Sequence, residues 1–249
     1  MPVLAANWKL HKTTAEAIAW VDAVQASPLL GRADVVVLPG FLQIPALSAR
    51  VGHGPIALGS QDVFWEESGA FTGMVSAAQV REAGCRYALV AHSERRRCAG
   101  DDDRGAHARI RAALAQGLTP IYCIGEGLRE RESGGFQRAL KAQYDVALDG
   151  LSAEQAQRVI VAYEPVWAIG SGQPATPQQV GEVAAAIRAG VLARTGLREG
   201  MRILYGGSVQ PQNIQGFLAQ GTIDGFLVGG ASLDPEEFLA LLKAVVGGA

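Results

Sequence analysis

Residues 102–124 read DDRGAHARIRAALAQGLTPIYCI, and this stretch holds one complete unit of the fold. Acidic residues open it, a helix-like segment runs over 102–116, and Gly117 closes that segment. Acids in a first turn and a glycine just past the last turn are the punctuation of an α-helix. The run 119–124 that follows is apolar on consecutive positions. A strand with one wet face would alternate, so this one reads as a parallel strand covered on both sides.

The same unit recurs in both directions along the chain. Apolar runs at 3–6, 34–38, 56–60, 87–91, 159–163, 202–205 and 225–228 join 119–124 to make eight. Helices are read at 14–26, opening on a Thr cap with Pro28 beyond its end, and at 176–194, with Thr176 as cap, Pro177 at the first position and Gly196 near the end. Another spans 234–246, opened by Asp234 and Pro235. Cap, first-turn proline and terminal glycine are helix boundaries. Strand and helix alternating in this way predict an α/β protein with one closed (β/α)8 barrel over residues 1–249, a doubly wound open sheet being the alternative. No linker or low-complexity stretch interrupts the pattern, so one domain is expected.

Composition bounds the partners. With 249 residues, 49% hydrophobic and 18% charged, the chain can bury a large core without disulfides or metals. A net charge of -2 gives no footprint for nucleic acid or an anionic membrane. The basic cluster Arg95, Arg96 and Arg97 is short and reads as ion-pairing. Three cysteines, Cys85, Cys98 and Cys123, fit neither a disulfide framework nor a zinc site and point to a reducing compartment. The opening MPVLAANWKL has no basic and then apolar leader, and charges or Pro/Gly break every long apolar stretch, so a cytoplasmic protein with no membrane partner is expected.

In such barrels, chemistry sits at the C-terminal ends of the strands. There the chain places Asn7, Trp8 and Lys9; His92, Ser93, Glu94, Arg95 and Arg96; Glu164; Gly206, Gly207 and Ser208; and Gly229 and Gly230. Glu164 at the lip of an apolar strand suits a desolvated base, although a helix-start or salt-bridge glutamate has the same look. His92 as neutral imidazole could donate to a developing oxyanion, or be a satisfied structural histidine. Lys9 could neutralise an anionic substrate, or be a solvated surface lysine. The glycine pairs would let backbone N–H groups approach a phosphate, or be plain tight turns. The G-x-G of Gly170 and Gly172 does not open a helix after a strand, so it is no dinucleotide fingerprint. No Walker A, H-E-x-x-H or G-x-S-x-G occurs, and the four histidines have no metal spacing, so neither metal nor cofactor is expected. A base, an electrophile, a cation and a phosphate cradle suit proton abstraction beside the carbonyl of a small phosphorylated substrate.

Asn7-Trp8-Lys9, Ala91-His92-Ser93-Glu94-Arg95-Arg96, Ala162-Tyr163-Glu164-Pro165-Val166-Trp167-Ala168-Ile169-Gly170, Tyr205-Gly206-Gly207-Ser208-Val209 and residues 224–233, DGFLVGGASL, resemble the signature stretches of the triosephosphate isomerase family, in family order. Residues 65–73, WEESGAFTG, resemble its interlocking dimer loop. The resemblance implies a TIM barrel that interconverts dihydroxyacetone phosphate and D-glyceraldehyde 3-phosphate, in glycolysis and gluconeogenesis, without a cofactor. It implies Glu164 as the base, His92 as a neutral electrophile, Lys9 and Asn7 as substrate contacts, and Glu94 with Ser93 in support. Gly170, Ser208, Gly229 and Gly230 match phosphate contacts, and 165–172 matches a lid. Phe71, Thr72 and Gly73 would insert near a neighbour's site, which implies a homodimer.

The chain departs from the family at Ala91 (usually Gly), Gly40 (commonly Pro), Ser171 (usually Thr), Asp101 (usually Glu), Arg97-Cys98, and Asp62 (commonly an amide). Ala91 is expected to shift His92 slightly, and Asp62 or Asp101 to weaken subunit contacts. An aldolase on the same fold would need a Schiff-base lysine or a metal, and a non-catalytic relative should have lost one of Lys9, His92 and Glu164.

Overall fold

The computed structural model describes residues 1–169, 174–197 and 201–247. Its centre is a closed barrel of parallel strands: β1 (Val3–Asn7), β2 (Asp34–Leu38), β3 (Ile56–Ser60), β4 (Tyr87–Val90), β5 (Thr119–Ile124), β6 (Ile160–Tyr163), β7 (Ile203–Tyr205) and β8 (Gly225–Val228). Each strand pairs with the next in sequence, and β8 returns to β1 with Val3 opposite Gly225. The open-sheet alternative is thereby excluded. Every strand lies within a residue of its apolar run. At β4 the strand ends one residue short of its run, because Ala91 adopts φ 56° and turns the chain out of the extended region.

Burial on both faces explains the unbroken apolar runs. Val3, Ala5, Val36, Leu38, Leu89, Ile121, Cys123, Ile160, Ala162, Leu204 and Leu227 belong to one buried cluster that fills the barrel. Their neighbours Leu4, Ala6, Val35, Val37, Tyr122, Val161, Tyr163 and Phe226 belong to the second, larger cluster under the helices. Side chains alternate across a strand, so the two clusters divide each run between them. The same parity carries onward. Asn7 follows Val3 and Ala5, Glu164 follows Ile160 and Ala162, and Gly229 follows Leu227, so each continues a lumen-facing series into the mouth of the barrel.

The helices begin where the caps predict. Thr13, one residue before the expected start, caps Thr14–Gln25, with Glu16 Oε2 accepting from Thr13 N at 2.7 Å. Thr176 caps Pro177–Thr195 in a reciprocal pair with Gln179, and Gly196 ends that helix at φ 69°. Asp102 caps Asp103–Ala115 and Asp234 Oδ1 accepts from Glu236 and Glu237 N–H at 2.8 and 3.0 Å. Such caps contribute about 1 kcal/mol each.

Closure itself depends on a missing side chain. Gly225 has φ 151°, and a Cβ there would lie 1.9 Å from the Val3 carbonyl oxygen. That contact is backbone against backbone and cannot relax by rotamer change. Gly225→Ala is therefore expected to cost about 3 kcal/mol or more, read as a lowered midpoint in urea unfolding with an unchanged slope.

Candidate active site

The mouth of the barrel brings together residues from five strand ends. Asn7, Lys9, His92, Ser93, Glu164, Gly206, Gly207, Ser208, Gly229 and Gly230 all line one cavity of about 330 Å³. Gly170, the remaining expected contact, lies outside the described residues, as do Ser171 and Gly172.

Glu164 and His92 face each other, Oε1 to Nε2, at 2.9 Å. Both are buried. The other Glu164 oxygen accepts the Ser93 backbone N–H at 2.9 Å. His92 caps the helix Ser93–Cys98, its Nδ1 accepting from Glu94 N at 3.2 Å. A ring nitrogen that accepts from a backbone N–H carries no proton, which leaves the imidazole proton on Nε2, the atom facing the site. The helix terminus thus sets the orientation of the His92 ring. Ala91, just before it, holds φ 56°. That left-handed conformation costs an alanine about 1 kcal/mol relative to a relaxed backbone, a cost that the glycine usual at this position would not carry.

Lys9 reaches the same mouth from β1. Its backbone is also left-handed, φ 53°, and is held there by the Gln61 side chain, which donates to the carbonyl oxygens of Lys9 at 2.8 Å and Leu38 at 2.9 Å. Lys9 N donates to Asn7 Oδ1 at 3.1 Å, and Lys9 Nζ to Glu94 Oε1 at 2.8 Å. Burial works to raise the Glu94 carboxyl, but the bonded Lys9 ammonium, with Arg97, holds it below the usual carboxylate range. Glu94 therefore stays an anion that aims Lys9. Beneath Glu164, burial and then the Glu164 carboxylate push the Cys123 thiol well above its usual range, so it is a neutral floor.

The glycines shape the opposite wall. A Cβ at Gly229 would lie 3.1 Å from Lys9 Cε, and one at Gly207 would lie 2.2 Å from Tyr205 Oη. Gly230–Ser232 forms a single 3-10 turn in which Ser232 N and Leu233 N bond back to Gly229 O and Gly230 O. The first N–H groups of such a turn have no partner inside it.

The family model for triosephosphate isomerase matches residues 2–245. The chain belongs to the triosephosphate isomerase family. The triosephosphate isomerases of Pelobacter propionicus and Moorella thermoacetica are each 46% identical to it, over 247 and 245 residues, covering 97% of this chain and 98% of each relative. That of Caldanaerobacter subterraneus subsp. tengcongensis is 43% identical over 244 residues, with 97% and 98% covered.

Some groups of this isomerase escaped the sequence reading. Gln61 follows β3 and Glu126 follows β5, so the rule of looking past each strand end would have found both. Glu126 is buried and its Oε1 accepts from Tyr163 Oη at 2.9 Å and Trp167 Nε1 at 2.8 Å. It thereby ties the segment just after β6 to the barrel. Of the basic cluster, Arg95 and Arg96 do form ion pairs. Arg96 meets Asp103 at 2.7 Å. Arg95 and Arg109 both pair with Asp62 and Asp101, at 2.9 to 3.1 Å. The two unusual aspartates thus sit in one balanced network. Burial lifts the Asp62 carboxyl above its usual range, against the pull of Arg109 and Arg95.

Gly206 tests how tightly the base is placed. A Cβ there would meet Glu164 Cγ at 2.9 Å, while both carboxylate oxygens are already held. Gly206→Ala is expected to lower isomerase kcat roughly 10- to 100-fold with little change in melting temperature. Unaltered kcat would mean that Glu164 moves clear without loss.

Proposed function

We propose that the chain interconverts dihydroxyacetone phosphate and D-glyceraldehyde 3-phosphate without a cofactor, the step shared by glycolysis and gluconeogenesis. The observation that carries the residue roles is the 2.9 Å contact of Glu164 with the protonated nitrogen of a neutral His92, at the mouth of a cavity that Lys9 also lines. Family membership supports the reaction class.

In this reading the Glu164 carboxylate takes a proton from C1 of dihydroxyacetone phosphate. The electron pair moves to the C1–C2 bond, and the C2 carbonyl oxygen becomes the enediolate oxygen. His92 Nε2–H and the Lys9 ammonium stabilise that oxygen, and His92 carries the hydroxyl proton from O1 to O2. Glu164 then returns its proton to C2. Substrate oxygens compete with Glu164 for His92 Nε2–H, so binding frees the carboxylate to act. Asn7 contacts substrate, while Ser93 and Glu94 hold Glu164 and Lys9. Ser208, Gly229 and Gly230 receive the phosphate on backbone N–H groups, together with Gly170.

A homodimer belongs to the same proposal. The loop after Phe64 is pinned at its base, where Phe64 N donates to Val75 O at 2.8 Å, and presents half-exposed Trp65, Phe71 and Met74. Exposed Phe41 lines a second cavity of about 150 Å³ together with Lys9, Gln61, Glu94 and Arg95. The Phe71-Thr72-Gly73 tip of a second copy would fill it, with two-fold symmetry making the contact reciprocal. A cytoplasmic location agrees with three free cysteines. Among the described residues no helix is long and apolar enough to cross a membrane.

Two measurements test this. Turnover of D-glyceraldehyde 3-phosphate, coupled to an NADH-dependent reductase, is expected to fall about 10³-fold or more in Glu164→Gln, with binding of inorganic phosphate retained; normal turnover would overturn the assignment. Sedimentation equilibrium should give the mass of two chains, and a fully active monomer would contradict the dimer.

A further inference from the structure

The loop after β1 is strained at both ends. Lys9 has φ 53° and Lys12 has φ 71°, and between them Leu10 is fully exposed. Non-glycine residues hold such angles only where their surroundings impose them. At Lys9 the restraint is Gln61. At Lys12 it is a set of contacts that reaches two other strand-end loops.

Gln43, in the turn Phe41–Gln43 after β2, donates from Nε2 to the Lys12 carbonyl at 2.7 Å. Its Oε1 is buried, and it lies where a Cβ on Gly40 would approach to 2.6 Å. Gly40 is one of the positions at which this chain departs from its family, and the missing side chain makes room for the Gln43 amide. From the other side, Lys12 Nζ donates to the Leu233 carbonyl at 2.7 Å. Leu233 caps the C-terminal end of the Gly230–Ser232 turn, where carbonyls are exposed and a positive charge is favoured. The ammonium also lies 5.2 Å from the centre of the buried Trp8 ring, which fixes the path of the stem. Burial lowers the Lys12 ammonium from its usual range, while Glu16 and Asp234 act to raise it.

The geometry points to Lys12 as a positioning residue of the isomerase: it staples the loop bearing Lys9 to the turn at 229–233 and so sets the gap that receives the substrate phosphate. The gap is narrow. The Lys9 stem already packs where a Gly229 Cβ would stand, 3.1 Å from Cε. A shift of the turn away from β1 would separate the phosphate donors from Lys9 without disturbing Glu164 or His92, which are carried by β6 and β4. The consequence is a loss of phosphate affinity and a rise in KM, with kcat largely kept. The inference rests on the proposal that residues 229–230 bind phosphate.

Lys12→Met keeps the stem over Trp8 and removes the donor, and Lys12→Arg restores a cation. KM for D-glyceraldehyde 3-phosphate and Ki for inorganic phosphate are expected to rise together, roughly 5- to 20-fold, in Lys12→Met, with kcat changed less than about threefold. Lys12→Arg should recover most of the loss, and Gln43→Leu, which loosens the same loop from the other side, should raise KM in the same direction. Values within twofold of the wild type for Lys12→Met, or a fall in melting temperature with KM unchanged, would overturn the staple alone, provided that phosphate competes with substrate in the wild type. Phosphate that fails to compete in the wild type would overturn the phosphate reading of the turn and the staple with it.

Discussion

The two-residue period of a strand, imposed on a barrel with no free edge, is the constraint on which the site depends. Odd and even residues of each run must be apolar for different reasons, one set filling the lumen and the other seating the helices. A run can turn polar only where the barrel ends. Asn7 and Glu164 are the first polar residues of their lumen-facing series, buried over a floor that includes Cys123. Functional groups are therefore buried at the mouth of the barrel, where they line one cavity.

Positioning then falls to backbone more than to side chains. His92 is oriented by the amide of Glu94, and Glu164 by the amide of Ser93, both in the first turn of one helix. The price is strain: Lys9, Lys12 and Ala91 hold positive φ, and two of these carry or precede a side chain that lines the cavity. Side-chain amides offset part of it, Gln61 holding Lys9 and Gln43 holding Lys12. Preorganisation here is a set of short local bonds anchored on a rigid barrel, which suits stabilisation of a transient enediolate.

Strand limits and helix caps were legible because they rest on local chemistry. The Asp102 and Thr176 caps fell where the sequence placed them, and only the first helix cap moved, from the expected start to Thr13. The strand-end rule also found most of the residues that line the cavity. Gln61 and Glu126 stand at strand ends too, but a neutral amide and one more glutamate suggest no chemistry until their partners are known. Asp62 and Asp101 stood out in the sequence only as departures from the family, expected to weaken subunit contacts. Their pairing with Arg95 and Arg109 joins residues 47 positions apart, which spacing does not reveal.

The sequence by itself determined the barrel, its order and the residue types at its mouth, because apolar periodicity, caps and turn glycines act over a few residues and need no knowledge of the rest. Tertiary structure alone decided which nitrogen of His92 faces Glu164, which carboxylates balance which arginines, and that Lys12 reaches Leu233, 221 positions away. Those outcomes depend on distances of about an ångström between side chains brought together only when β8 closes on β1, and no local rule carries that information.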